Sequence, residues 1–490
     1  MEPGKNFNLC KAAWIPISTG KRISLIEAFS ASHGFLSGSP IQKIAIFKLL
    51  LAIGQAAYTP KDEKDWAALT LKGFQKRCVD YLQKWEDRFD LYGEKPFLQM
   101  SVSKAKVRPF ESFDPEKASG NTTLLTQIQS GRDLTDAEKA VMLIQTLSFA
   151  LGGKKADKAV LLDTNYTGKG GRPGPSLGAF GYLHSFALLE GLAESVWLNL
   201  LTAEDIREMK IYPDGVGQAP WEEMPATEDC PVARRLKKSL IGRLVPMSRY
   251  CLLTPNGMHY TEGVAHLTPK DGVYDPSMTV KLGTKDLKPI LVNPLKRPWR
   301  SLTAILSFMA SGSIVKDRRD TRQLAVAIRR VTRMPTAYRE ITIWSGGVRV
   351  SFNAGEQFLT GSDDYVESAF GIAPDALTEV WFLRFVNEMD KLDGQAKSLY
   401  GAVKGYFEDL KVKGDARADL AVRQLWMDAE ADFQRLVDAC GQGEEALEEI
   451  RRRNQQRFMT VFSSACPHGT PRQLLAWTKQ LNKRSRKNDR

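Results

Sequence analysis

The chain reads as an α+β protein: a large mixed, irregular N-terminal domain over residues 1–370, followed by a four-helix bundle over residues 371–490. Two observations divide it there. In the first part the elements are short, prolines are frequent, and helical and alternating patterns intermix. From Pro374 onward come three long amphipathic stretches, Ala376–Leu410, Arg417–Cys440 and Glu444–Ser464, and a shorter one, Pro471–Ser485. Only Gly414, Gly441–Gly443 and Pro467-His468-Gly469 interrupt them. Breaks that short set consecutive helices antiparallel, which makes a bundle.

Within the first part, Ser39–Tyr58 predicts a helix, with Ile44, Phe47, Leu50, Leu51 and Ile53 forming a broad apolar face. Ala137–Leu151 and Gly178–Ala203 read as two more buried helices, on either side of a glycine-rich segment. Short strand-like runs lie between Ile211 and Gly263, and alternation returns at Met278–Leu282 and Pro289–Asn293. Ser301–Ala310 and Asp320–Val331 read as helical. Ile341–Leu359 alternates as a β-hairpin should, with Gly346-Gly347 and Ala354-Gly355 as turn signals.

Composition narrows the function classes. A net charge of +12 and a pI near 9.2 favour a polyanionic partner, either nucleic acid or an anionic membrane. Insertion into a bilayer is not expected, because the apolar run Ile44–Ala57 falls short of the ~20 residues a spanning helix needs. The N-terminus shows no signal-peptide core. Six scattered cysteines without CxxC spacing suit a reducing cytoplasm and argue against structural zinc.

No constellation for catalysis stands out. The five histidines (His33, His184, His259, His266, His468) are isolated and read as structural or surface residues, with neither an HD pair nor HExxH among them. The acidic pairs Glu222-Glu223 and Asp363-Asp364 have no companions to complete a metal centre and read as solvated charge. No metal or cofactor is expected.

The basic residues are better organised. Residues Lys296–Glu340 hold eleven Lys or Arg against three acids. On a helix, Arg318, Arg322, Arg329 and Arg333 would share one face, either a solvated stripe or a phosphate contact. Lys281, Lys285 and Lys288 extend this surface. Leu151–Gly178 adds two glycine clusters, Gly152-Gly153 and Gly168/Gly170/Gly171, set among Lys154, Lys155, Lys158, Lys169 and Arg172. Glycine lets a backbone approach closely, and the cations supply countercharge for phosphates. The segment is not a P-loop, since Gly170 follows Lys169 where Ser or Thr would have to hold magnesium. Its other reading is a plain surface loop.

Several segments together resemble a known family. Trp14-Ile15-Pro16 precedes a Ser37–Pro40 helix start, and that helix ends in Leu51-Ala-Ile-Gly-Gln55. Pro60-Lys-Asp62 and Phe89-Asp-Leu-Tyr-Gly-Glu-Lys-Pro-Phe-Leu-Gln-Met100 follow. The glycine segment with Lys169-Gly-Gly-Arg172, Trp221, Gly346-Gly347 and the final helices then come in order. The whole chain is similar to the large subunit (the CasA family) of the type I-E CRISPR Cascade complex.

The resemblance implies a non-catalytic subunit that inspects double-stranded DNA for a protospacer-adjacent motif (PAM). Such a subunit helps open the duplex for guide RNA pairing and then recruits a helicase–nuclease. Its partners would be the target DNA and a guide RNA ribonucleoprotein with backbone, capping and small subunits. A glycine loop, a lysine finger and a hairpin wedge would read the PAM from the minor groove, whose degenerate code tolerates several sequences.

On this chain the loop matches Gly152-Gly153 with Lys154 and Lys155, and the finger matches Lys270. The wedge matches Asn353-Ala354, with Gln357 as a substitute. Asn121, Thr122 and Leu124 would meet the guide 5′ end and its capping subunit. Phe352 beside Asn353 would suit insertion between bases, or would point into the core if the hairpin's alternation continues. Two other classes stay open: a free-standing nuclease or deaminase, and a scaffold that contacts only proteins.

Overall fold

The computed structural model describes residues 6–30, 34–102, 105–113, 133–152, 176–282, 287–309, 321–323, 326–331, 340–353 and 356–488. The helix Pro40–Ala57 organises the first part. Pro40 occupies its first turn, and Ser39 with Gln42 closes a capping box ahead of it. Its apolar residues point in every direction, which is why it is buried all round. Among the described residues it is the one helix long and apolar enough to cross a membrane, yet 78% of it is covered by the rest of the chain.

Three small three-stranded antiparallel sheets follow this helix in sequence, and the first described packs on it through Ile341–Val348. In one, Ile341–Val348 runs between Tyr365–Ile372 and His184–Leu188, with Ile343 opposite Ala187. In another, Gly257–Glu262 lies between Val107–Arg108 and Arg249–Thr254. The third sets Thr279–Leu282 between Leu287–Pro289 and Thr321–Gln323. Asp136–Phe149 packs on the core helix and opens with a Thr135/Glu138 capping box.

The chain divides into two units. Met1–Ser301, Arg318–Arg333 and Ile341–Ala369 form the first; Leu302–Asp317, Met334–Glu340 and Phe370–Arg490 form the second. The second unit is helical. Glu379–Asp409 touches each of Asp415–Glu430, Phe433–Gln442, Glu444–Ala465 and Pro471–Asn488. The buried carboxylate of Glu388 accepts from Arg451 at 2.6 Å and from Lys391 at 2.8 Å, which ties the long helix to a neighbour.

Four sequence readings need correction. Gly178–Ala203 is not one helix: a short 3-10 turn leads to the strand His184–Leu188 and then to the helix Leu192–Asn199. The strand is covered on both faces, so its apolar run shows neither a helical nor an alternating period. Asp320–Val331 is likewise split into the strand Thr321–Gln323 and the short helix Val326–Arg330.

Gly346-Gly347 does not turn but continues a strand. A Cβ on Gly347 would stand 2.6 Å from the Tyr182 carbonyl oxygen, and one on Gly346 2.9 Å from that of Val366, so close packing requires glycine here. Finally, Arg417–Cys440 is two helices with a break near Ala431. The break carries Phe433 against Phe370 and Phe385, while Asp432 faces Arg457.

Candidate nucleic-acid interface

The glycine segment leaves and re-enters the fold at one place. At its exit, the Gly152 N–H donates to the Gln357 side-chain oxygen at 2.7 Å, and the Gln357 N–H donates back to the Gly152 carbonyl at 3.0 Å. The Gln357 amide nitrogen donates to the Ala179 carbonyl at 2.9 Å. On the return, the Ser176 N–H donates to the Ala150 carbonyl at 2.8 Å. The buried Arg249 braces the same spot, donating to the Leu151 carbonyl at 3.3 Å and to the Tyr260 hydroxyl at 2.7 Å. Gly152 and Ser176, which flank residues 153–175 in sequence, are therefore each fixed by hydrogen bonds to described parts of the fold.

This geometry revises two expectations. Gln357 is 2% exposed and engaged at both ends of its amide, so it is not a wedge residue. Gly152 is buried with both backbone groups bonded to Gln357, so its amide is not presented to a ligand. Both are anchors of the site. Gly153, Lys154, Lys155, Lys169 and Arg172 lie outside the described residues, as do Asn121, Thr122 and Leu124. Replacing Gln357 by Leu strands a buried N–H and a buried C=O. The expected loss is about 2–4 kcal/mol in a urea titration, with faster hydrogen exchange at Gly152. Unchanged exchange there would show that the clamp does not hold the loop.

The hairpin itself is a two-stranded ribbon separate from the sheets, pairing Ser351 with Phe358, Phe352 with Gln357 and Asn353 with Glu356. Its root is pinned by Arg349, whose Nε donates to Asp364 at 2.6 Å and whose backbone N–H donates to the Asp364 carbonyl at 2.9 Å. Because the ribbon is a separate element, the alternation of Ile341–Val348 does not carry into it. Phe352 is 68% exposed and Asn353 is exposed beside it, which removes the reading of Phe352 as a core residue.

Lys270 sits in a 3-10 turn, Pro269–Asp271, that ends at Gly272 with φ of +77°. Asp271 accepts from the Thr268 N–H at 2.7 Å and from its hydroxyl at 2.9 Å, so the turn is closed by its own acid. Lys270 projects from it into solvent.

The first unit also contains a buried polar cluster. Lys48 on the core helix is paired with Asp275, which also accepts from the Ser277 hydroxyl at 2.6 Å. His184 Nδ1 is 2.7 Å from that hydroxyl. Burial pushes the His184 imidazole down to about 4, against the opposing pull of Asp275. Burial by itself would raise Asp275, but the Lys48 charge, His184 and the hydrogen bonds outweigh it and hold the carboxyl well below the usual range. The cluster is sealed and has the hydroxyl donating to the carboxylate, so it braces the fold and does not form a nucleophile.

The remaining charges are structural or dispersed. The arginine stripe is not formed: Arg322 is in a strand opposite Val280, Arg329 is in a separate helix, and Arg318 and Arg333 lie outside the described residues. Arg330 is buried, pairing with Glu63 at 2.7 Å and Asp205 at 3.1 Å and stacking 4.7 Å from the Trp66 ring. The acidic pairs are not simply solvated either. Asp364 is fully buried on Arg349, Glu222 accepts from the Tyr81 hydroxyl at 2.5 Å, and Glu223 pairs with Arg235 at 2.6 Å. Among the described residues no group of three His, Cys, Asp or Glu side chains could hold a metal ion.

The fold matches solved structures along its length. A Thermus thermophilus CasA (Cse1) structure is 20% identical with a TM-score of 0.74, covering 98% of this chain and 100% of its own. Thermobifida fusca Cse1 is also 20% identical, with a TM-score of 0.73 and coverage of 98% and 96%. A chain described as a CRISPR RNA-guided surveillance complex is 14% identical, with a TM-score of 0.70 and coverage of 98% and 99%. No curated protein matches the chain with significance. The family model described as CRISPR-associated protein Cse1 matches residues 8–483, and the chain therefore belongs to the Cse1 family.

Proposed function

We propose that this chain is the non-catalytic large subunit of a type I-E Cascade complex, inspecting duplex DNA for a PAM and starting strand separation beside it. The observation that carries this reading is the exposed Phe352–Asn353 ribbon, seated on Gln357 at the root of the glycine–lysine segment. An exposed aromatic side chain on a strand whose partner anchors a sequence rich in glycine and cations is what wedging beside a gripped minor groove requires. Lys270 adds a cation on a turn of its own. The similarity to a chain of an RNA-guided surveillance complex supports a guide RNA ribonucleoprotein as partner. Recruitment of a helicase–nuclease and a cytoplasmic setting complete the proposal; the six free thiols are consistent with the latter.

The test uses the complex assembled with its guide. Gly153→Asp places a carboxylate beside phosphate, and Lys270→Ala removes a cation. Each is expected to weaken binding to a PAM-bearing duplex about tenfold or more, as loss of a groove or phosphate contact does. Unchanged affinity in gel-shift titrations of both variants would remove these elements from the site. Titratable cleavage of DNA by the isolated chain with magnesium or manganese would overturn the non-catalytic reading.

A further inference from the structure

One buried cation of the first unit has no counterpart. Arg243 lies on the short helix Leu240–Leu244 and is 2% exposed, with its Nε and Nη2 buried and without a hydrogen-bond partner. Its backbone is fixed. The Leu240 N–H donates to the Gly215 carbonyl at 3.0 Å, and the Ile241 N–H donates to the Val216 carbonyl at 2.9 Å. A Cβ on Gly242 would collide with the Leu236 carbonyl oxygen, so the helix has no room to shift. Burial works against the Arg243 charge, and Tyr212, Asp275, Tyr182 and Asp271 only partly offset it. Both of those acids are committed elsewhere. Asp275 is paired with Lys48 and accepts from the Ser277 hydroxyl, and Asp271 accepts from the Thr268 N–H and hydroxyl.

His266 adds a second unanswered group. It follows the strand Gly257–Glu262, and the Val264 N–H ties its segment to the Met247 carbonyl at 2.7 Å, just past the Arg243 helix. The residue is half-buried, yet both its ring nitrogens are covered and without a partner. Burial pushes the imidazole well below its usual range, and the charges of Arg243, Lys237 and Lys48 act in the same direction. Three cations and no acid enter that balance, so the field around the ring is positive. A buried guanidinium left unpaired is strongly unfavourable, and native folds answer such a group with an ion or with water. The Nε–Nη2 edge is a fork that receives two oxygens side by side. A carboxylate would spend both its oxygens there, whereas a tetrahedral oxyanion keeps others for the His266 ring.

We propose that Arg243 and His266 bind a free orthophosphate ion inside the first unit, the Nε–Nη2 edge of Arg243 donating to two of its oxygens and the His266 ring to a third. The source is a free ion and not a nucleic-acid backbone, because a guanidinium 2% exposed is out of reach of a duplex. The consequence falls on the loop that His266 shares with Lys270. The Val273 N–H donates to the Thr268 carbonyl at 3.3 Å and closes that loop, so an ion gripping His266 fixes the base of the turn that carries Lys270.

The test titrates the full chain with orthophosphate in a calorimeter at constant ionic strength. Wild type is expected to show one saturable site per chain, and hydrogen exchange across residues 266–272 should slow as the site fills. His266→Ala, on a half-exposed segment, is expected to bind about tenfold more weakly, as loss of a charge-assisted hydrogen bond does. Arg243→Met should stay folded and show no site, since it removes the buried charge together with the grip on the ion. Should Arg243→Met fail to fold, the His266→Ala comparison decides alone. Absence of saturable binding by wild type overturns the inference, as does binding by His266→Ala equal to wild type. Slowing of the same exchange by a PAM-free duplex but not by orthophosphate also overturns it, because the phosphate would then belong to a nucleic-acid backbone.

Discussion

Replacing Phe352 and Asn353 together by Ala is expected to slow opening of an intact PAM-bearing duplex by about ten- to a hundredfold. Separating a stacked pair costs a few kcal/mol, and a tip that fills the vacated space recovers part of it in the transition state. The same variant should bind a pre-opened bubble as wild type does, because the ribbon's root, Arg349 on Asp364, is untouched. Stopped-flow fluorescence of a probe next to the PAM separates the two quantities. Opening at the wild-type rate by a folded double variant would exclude Phe352 and Asn353 as the wedge, and Gln357, engaged in the core, would not take their place.

The second large effect concerns stability. Lys48→Met leaves the Asp275 carboxylate buried without its cation, and removal of one partner of such a pair costs about 3–5 kcal/mol. Urea denaturation should show that loss, and the additional change Asp275→Asn should recover much of it because Ser277 keeps an acceptor. A Lys48→Met chain as stable as wild type would show that the pair contributes nothing net.

The cluster also sets a pH window. His184 is held neutral in the folded chain with its pKa at about 4, against 6.5 when unfolded, so the unfolded state takes up the proton first and stability falls as pH drops from 6.5 toward 4. The full effect is about 3 kcal/mol. Asp275 acts in the same direction at lower pH: its stabilising charge is present above 3.8 and lost as acid approaches its depressed folded value.

How much of this was legible in the sequence depends on which force sets each element. The core helix and the long helix Glu379–Asp409 begin at capping residues, Ser39 and Thr378, ahead of long apolar runs, so their starts are local properties and were readable, whereas the break near Ala431 has no such mark. The strand His184–Leu188 has no such local mark: its neighbours cover both faces, and the pattern that would distinguish it disappears. Gly346-Gly347 carried a turn signal that the tertiary fold overrides, because the Tyr182 backbone passes too close for any side chain.

The site was partly legible in the same sense. Phe352 and Asn353 could be named from residue type and placement, but their exposure follows from the ribbon being detached from the sheet. The role of Gln357 was unreadable, since its partners Gly152 and Ala179 are remote in sequence and both contacts are to backbone.

The closed root of the glycine segment has an engineering consequence. Because Ala150 meets Ser176 and Gly152 meets Gln357, hydrogen bonds already join the chain on either side of residues 153–175. Doubling the length of such a closed excursion costs only about 0.6 kcal/mol of chain entropy. A stretch of different size grafted between Gly152 and Ser176 is therefore expected to cost little stability, which a urea titration of the grafted chain would check.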